Sequence, residues 1–124
     1  MQWLPLLLVV MCALAGVFRA FHDCLTHSPV ALAKWGPFWD ASTSWTRKYK
    51  DYYNDPKTPR FWGATTVFVA WTDAWHASNA LLGACWAVIA LLACWLGWAS
   101  IWWLVAGLLI NKLIFEPLYS FLRK

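Results

Sequence analysis

Two stretches of the chain bring aspartate and histidine to helical spacing. Asp23 and His27 are four residues apart, and Asp73 and His76 are three apart. Around the first pair, Arg19, His22, Asp23, Thr26 and His27 recur at i, i+3, i+4, i+7 and i+8, which is one stripe of a helix. Around the second, Thr65, Thr72, Asp73, His76 and Asn79 share a face about 120° wide at ~100° per residue, with Val67, Ala70, Trp71, Ala74, Trp75 and Ala77 on the other side. A carboxylate and an imidazole so spaced can ligate one divalent metal ion, with further ligands from a neighbouring helix. Asp73, His76, Asp23 and His27 are therefore the candidate metal ligands, with His22 and Arg19 beside them. A metal held there could activate water against a phosphate or ester.

The same residues admit two other readings. Arg19 with Asp23, and Asp73 with His76, can be hydrogen-bonded pairs that set helix register, and this packing role is the favoured one. They can also line a proton or ion path. Lys112 and Glu116, four apart near the chain's end, are read as a mutually neutralising pair rather than a proton carrier. No H-E-x-x-H, glycine-rich phosphate loop or nucleophile motif occurs. The four cysteines form no C-x-x-C and are read as free.

The elements that must position these residues are dictated by composition. The 124 residues are 61% apolar and 13% charged, against about 45–50% and ~25% for soluble domains. A soluble chain this short could not hide so much Leu, Trp and Ala from water. The fold expected is all-α: a single polytopic membrane domain of about three transmembrane helices, with an interfacial aromatic and basic segment between the first and second. The first span covers residues 3–22, the polar segment 23–62, a helical lead-in and second span 63–96, and the third span 100–118. The break falls at Gly97-Trp98-Ala99-Ser100, the turn-capable stretch near the middle of the long apolar run. Pro117 is expected to end or kink the last helix. Ala13-Leu14-Ala15 resembles a signal-peptidase site, but no Lys or Arg precedes the first run, so it is read as a retained span.

Charge sets the orientation. Seven of the ten Lys and Arg lie between Arg19 and Arg60, and Arg123 and Lys124 finish the chain. Cytoplasmic loops carry the excess of Lys and Arg, so the polar segment and C-terminus are expected in the cytoplasm and the N-terminus outside, in an inner (cytoplasmic) membrane. The net charge of +4 is thus an orientation signal, and no nucleic-acid partner is expected. Trp45, Tyr49, Tyr52 and Tyr53 follow i, i+4, i+7 and i+8, opposite Arg47, Lys48, Lys50 and Asp51. That pattern suits a short helix in the headgroup region, aromatics down and bases toward lipid phosphate; an aromatic loop packed on the bundle is the alternative.

Several of these residues carry a resemblance. Phe38-Trp39-Asp40, Ser44-Trp45 and Lys48-Tyr49-Lys50, then Phe61-Trp62-Gly63-Ala64-Thr65-Thr66-Val67-Phe68-Val69 and Thr72-Asp73-Ala74-Trp75-His76, resemble a family of small bacterial and phage-encoded membrane proteins. The family pattern is F-W-x-x-x-x-S-W-x-x-K-Y, then G-[SA]-T-T-x-F-V and T-D-x-W-H, and Ile114-Phe115-Glu116 with Tyr119 is similar to its close. Ala64 stands where the family usually has Ser. The resemblance implies the membrane topology and singles out Asp73 and His76, but implies no reaction.

Function is then expected to be that of an accessory or self-associating membrane module. Its partners would be lipids and another membrane protein or a second copy. Ser78, Ala80, Gly83, Ala84, Ala87 and Ala90 would give the second span small-residue faces for close helix packing. The alternatives are a metal-dependent hydrolase acting on lipid headgroups, whose cofactor would be a divalent ion, and a phage-type pore former.

Overall fold

The computed structural model describes residues 3–124. The fold is mostly helical, with three long helices: α1 (Leu4–His27), α2 (Ala74–Leu96) and α3 (Ser100–Leu122). A small antiparallel hairpin, β1 (Tyr49–Asp51) and β2 (Asp55–Pro59), stands in the α1–α2 connection. At ~1.5 Å rise per residue, helices of 24, 23 and 23 residues are each about 35 Å long, enough for the ~30 Å of a hydrocarbon core. Two helical stretches are long and apolar enough to cross a membrane: Leu4–His27, and the 49 residues of Ala74–Leu122, which Gly97–Ala99 interrupts. Of their most apolar windows only 28% and 11% is buried within the fold, whereas the core helix of a soluble protein is mostly buried. Trp98 and Trp102 are 89% and 79% exposed.

α1 packs along both α2 and α3, which scarcely touch each other. Leu8, Cys12 and Ala15 meet Cys85 and Ile89 at one end, while Ala20, Cys24 and Leu25 meet Ala74 and Leu122 at the other. α1 therefore runs antiparallel to α2 and parallel to α3. The α1–α3 contact is close because two glycines remove side chains from it. A Cβ on Gly16 would come 2.7 Å from the Asn111 carbonyl oxygen, and one on Gly107 would come 2.7 Å from Cys12 Sγ. Between them Asn111, buried, donates from Nδ2 to the Cys12 carbonyl at 2.8 Å.

The connections account for where sequence and structure differ. The break at Gly97 is as expected: its φ of +60° is open to glycine at no steric cost. α3 continues through Pro117 to Leu122, and α1 continues past residue 22 to His27. The expected helix through Trp45, Tyr49, Tyr52 and Tyr53 does not form. Ser44–Lys48 make a single 3-10 segment, and the chain then enters the hairpin. Asn54 donates backbone and side-chain N–H to Asp51, and Asp55 takes bonds from the Lys57 amide and the Thr58 hydroxyl. Such side-chain-to-backbone bonds compete with helix. The rings still gather, with Trp45–Tyr52 and Tyr49–Tyr52 centroids 4.6 and 5.4 Å apart, so this segment is an aromatic loop rather than a helix, its hairpin paired chiefly with itself.

The helical lead-in over residues 63–73 is likewise replaced by turns and a 3-10 segment at Val69–Trp71. Gly63 (φ +77°) turns the chain, and its carbonyl accepts from the Thr66 and Phe68 amides. Asp73 is fully extended and caps α2, its carboxyl accepting the His76 amide. The stripe expected through Thr65, Thr72, Asp73, His76 and Asn79 is therefore not a helix face.

Candidate functional site

Asp73 is a buried carboxylate held on both of its oxygens. It is 1% exposed. One carboxyl oxygen accepts the His76 amide at 3.0 Å; the other lies 2.7 Å from His76 Nδ1 and 3.1 Å from Thr72 Oγ1. The local sequence explains this: an aspartate at the N-cap satisfies an orphan amide of the first turn, and a histidine at the third helical position brings its ring back over the same carboxyl. In the neutral tautomer that donates from Nδ1 to Asp73, Nε2 is the acceptor nitrogen. His76 packs edge-on against Trp75, with centroids 4.9 Å apart.

The two sequence stretches meet through tryptophan rather than through metal ligands. Trp75 Nε1 donates to Thr26 Oγ1 at 2.9 Å, and Thr26 in turn donates to the His22 carbonyl at 2.8 Å. The His22 ring lies 4.9 Å from Trp75, centroid to centroid, with its Nδ1 buried and unpartnered among the described residues. Trp75, assigned by periodicity to the side away from the polar stripe, is thus the residue that reaches α1. Arg19 turns to Asp23 (Nε to Oδ2, 3.6 Å) and to the Phe115 ring, 4.8 Å from its centroid. His27 is exposed at the end of α1.

The expected metal set Asp73, His76, Asp23 and His27 does not converge. Among the described residues no three His, Cys, Asp or Glu side chains come together as ligands. The reason is the late start of α2, which turns Asp73 inward as a cap while Asp23 faces Arg19. Lys112 and Glu116 form no ion pair among the described residues; they border a cavity of about 300 Å³ with Arg19 and Asn111.

Asp73 and His76 open instead onto another cavity of about 300 Å³ between the end of α1, the start of α2 and the connection. Thr26 and Ser44 supply further polar groups; Leu25, Trp45 and Trp75 supply apolar walls. Ser44 is 2% exposed. Its place is fixed by Asp40: the Ser44 amide donates to the Asp40 carbonyl at 2.7 Å, while the Asp40 carboxyl collects the Ser42 amide and hydroxyl and the Thr43 hydroxyl. The Ser42 hydroxyl, and then Thr43, hold the Asp40 carboxyl below its ordinary range. No family model, curated protein or solved structure matches the chain.

The residues expected at a membrane interface lie in the connection between α1 and α2. Arg47, Lys50 and Arg60 border an open polar cleft with Tyr49 and Tyr52, and Lys48 Nζ lies 5.5 Å from the Tyr49 ring centroid. Sequence reasoning overlooked Ser44 as a pocket group and Asn111 as the α1–α3 bond. Ser44 was visible within the S-W motif, and Asn111 as an amide deep in an apolar run.

Proposed function

We propose that the chain is a three-span membrane protein that works by self-association, with its N-terminus outside and its connection and C-terminus in the cytoplasm. The observation that carries the self-association is the outer face of α2. Ala74, Ser78, Cys85 and Ile89 are the buried side of that helix. Ala80, Gly83, Ala84, Ala87 and Ala90 are exposed, and a Cβ on Gly83 would meet nothing within 4 Å. At ~100° per residue Gly83, Ala87, Ala90 and Cys94 lie within one narrow stripe. In lipid, apolar surface alone does not drive helices together; small residues that allow close backbone approach do. Exposed Trp at both ends of the helices supports the span assignment, as interfacial belts.

Cys94 is exposed on this stripe and is a native probe of it. A short bifunctional maleimide added to the protein in lipid nanodiscs or native membranes is expected to give a covalent dimer. Cys94→Ser should abolish it, and Gly83→Leu should reduce it severalfold by holding the helices apart. A monomer under all conditions, or crosslinking unaffected by Gly83→Leu, would overturn the reading. Release of a trapped dye from vesicles would instead favour the pore former.

A further inference from the structure

We propose that the cavity between α1 and α2 is a metal-independent esterase-type site, with Ser44 as nucleophile, His76 as general base and Asp73 as the residue that orients His76. Three observations carry this. First, the Asp73–His76 contact of 2.7 Å engages Nδ1; in the neutral tautomer that donates from Nδ1 to Asp73, Nε2 is the acceptor. Second, Ser44 is 2% exposed and lines the same cavity as His76. Third, the two groups come from separate segments held independently, Ser44 by the Asp40 turn and His76 by the α2 cap. A cap alone accounts for the Asp73 bond to the His76 amide. It does not account for an imidazole that borders a cavity shared with a serine from another segment. Ser44 and His76 share the cavity without a direct bond; hydrogen bonds between nucleophile and base commonly tighten when substrate binds.

The cavity selects a substrate class. Leu25, Trp45 and Trp75 give it an apolar wall, and Asp73, His76 and Ser44 a polar one, which fits a carboxylic ester with an apolar acyl group. Ser44 Oγ would bond to the carbonyl carbon as its proton passes to His76 Nε2. Collapse breaks the bond to the alcohol, which leaves with that proton. Water then attacks the acyl-Ser44 ester, gives its proton to His76, and the carboxylic acid departs as Ser44 regains the proton. The balance needs no oxidant, metal or co-reactant other than water. Positioned imidazole bases contribute about 10²–10⁴-fold to such steps.

The test uses the full-length protein in detergent micelles and a fluorophosphonate probe, which phosphonylates an activated serine with loss of fluoride. The wild type is expected to acquire one adduct, located by mass spectrometry on the peptide containing Ser44, and Ser44→Ala to acquire none. His76→Gln should label about 100-fold more slowly; glutamine at the third helical position still supports a cap, so the helix start is retained. Ser44→Cys gives a second readout: its alkylation by iodoacetamide should be at least about tenfold faster than in Ser44→Cys combined with His76→Gln, because the imidazole draws off the thiol proton. A wild type that takes up no probe at Ser44 would overturn the proposal. So would adduct formation and Ser44→Cys alkylation at unchanged rates with His76→Gln.

Discussion

Asn111 shows how much a single amide can organise in an apolar helix. Its Nδ2 bond to the Cys12 carbonyl joins α3 to α1 beside the two glycines that let the backbones approach. Interhelical polar bonds of this kind contribute about 0.6–1.7 kcal/mol in lipid. Asn111→Leu should lower unfolding stability in detergent by that amount. Gly16→Ala should cost more, about 1–3 kcal/mol, because the added Cβ meets a backbone carbonyl that cannot swing away. Chemical-denaturant titration followed by helical circular dichroism measures both; a Gly16→Ala variant as stable as wild type would refute the close α1–α3 approach. At this scale the sequence was informative about Asp73 and His76, whose spacing singled them out. It was misleading about Asp23 and His27, because spacing along a chain does not say which side chain finds an ion pair first. Asn111 escaped attention because it bears no charge.

At the scale of the element, the segment from Ser28 to Asp73 departs most from a periodic reading. Trp45, Tyr49, Tyr52 and Tyr53 do sit together, but through a 3-10 turn and hairpin rather than a helix. Helical periodicity and a folded-back aromatic loop place the same rings side by side. What separates them is the turn chemistry of Asp51, Asn54 and Asp55, which bond their own neighbours. The same principle governs the turn that holds Ser44. The Asp40 carboxyl, ordinarily near 3.8, is lowered by the hydroxyls of Ser42 and Thr43. A group with a depressed folded pKa stabilises fully above its unfolded value and loses that contribution as pH falls through the folded one. The turn should therefore hold at neutral pH and loosen below about pH 4. Hydrogen exchange at the Ser42 and Ser44 amides is expected to accelerate there, beyond the intrinsic pH trend of exposed amides. In Asp40→Asn exchange should be faster already at pH 7 and lack the acid step. An acid step that persists in Asp40→Asn would assign it to another group.

For the whole molecule, the long apolar helices and the break at Gly97 were legible because continuous apolar runs and a turn-capable glycine between them mark such elements in the sequence itself. The arrangement of the helices was not legible. Nothing in the hydropathy says that α1 lies between α2 and α3; that follows from Gly16, Gly107 and Asn111 on one side of α1 and from Cys85 and Ile89 on the other. The same arrangement leaves the small-residue face of α2 uncovered, which is why self-association is proposed from the assembled fold. It also brings the end of α1 and the start of α2 to one end of the bundle, where the Asp73–His76–Ser44 cavity forms.

The central claim is that three helices cross the membrane with the connection and C-terminus on the cytoplasmic side. A full-length protein carrying a single added cysteine at Trp98 in the α2–α3 turn, on a background in which Cys12, Cys24, Cys85 and Cys94 are replaced by serine or alanine, tests it most directly in intact cells. A membrane-impermeant maleimide applied from outside should label the Trp98→Cys protein and leave an Asn54→Cys counterpart in the hairpin unlabelled until the cells are broken. Labelling of Asn54→Cys from outside, or protection of Trp98→Cys until the cells are broken, would contradict the three-span account.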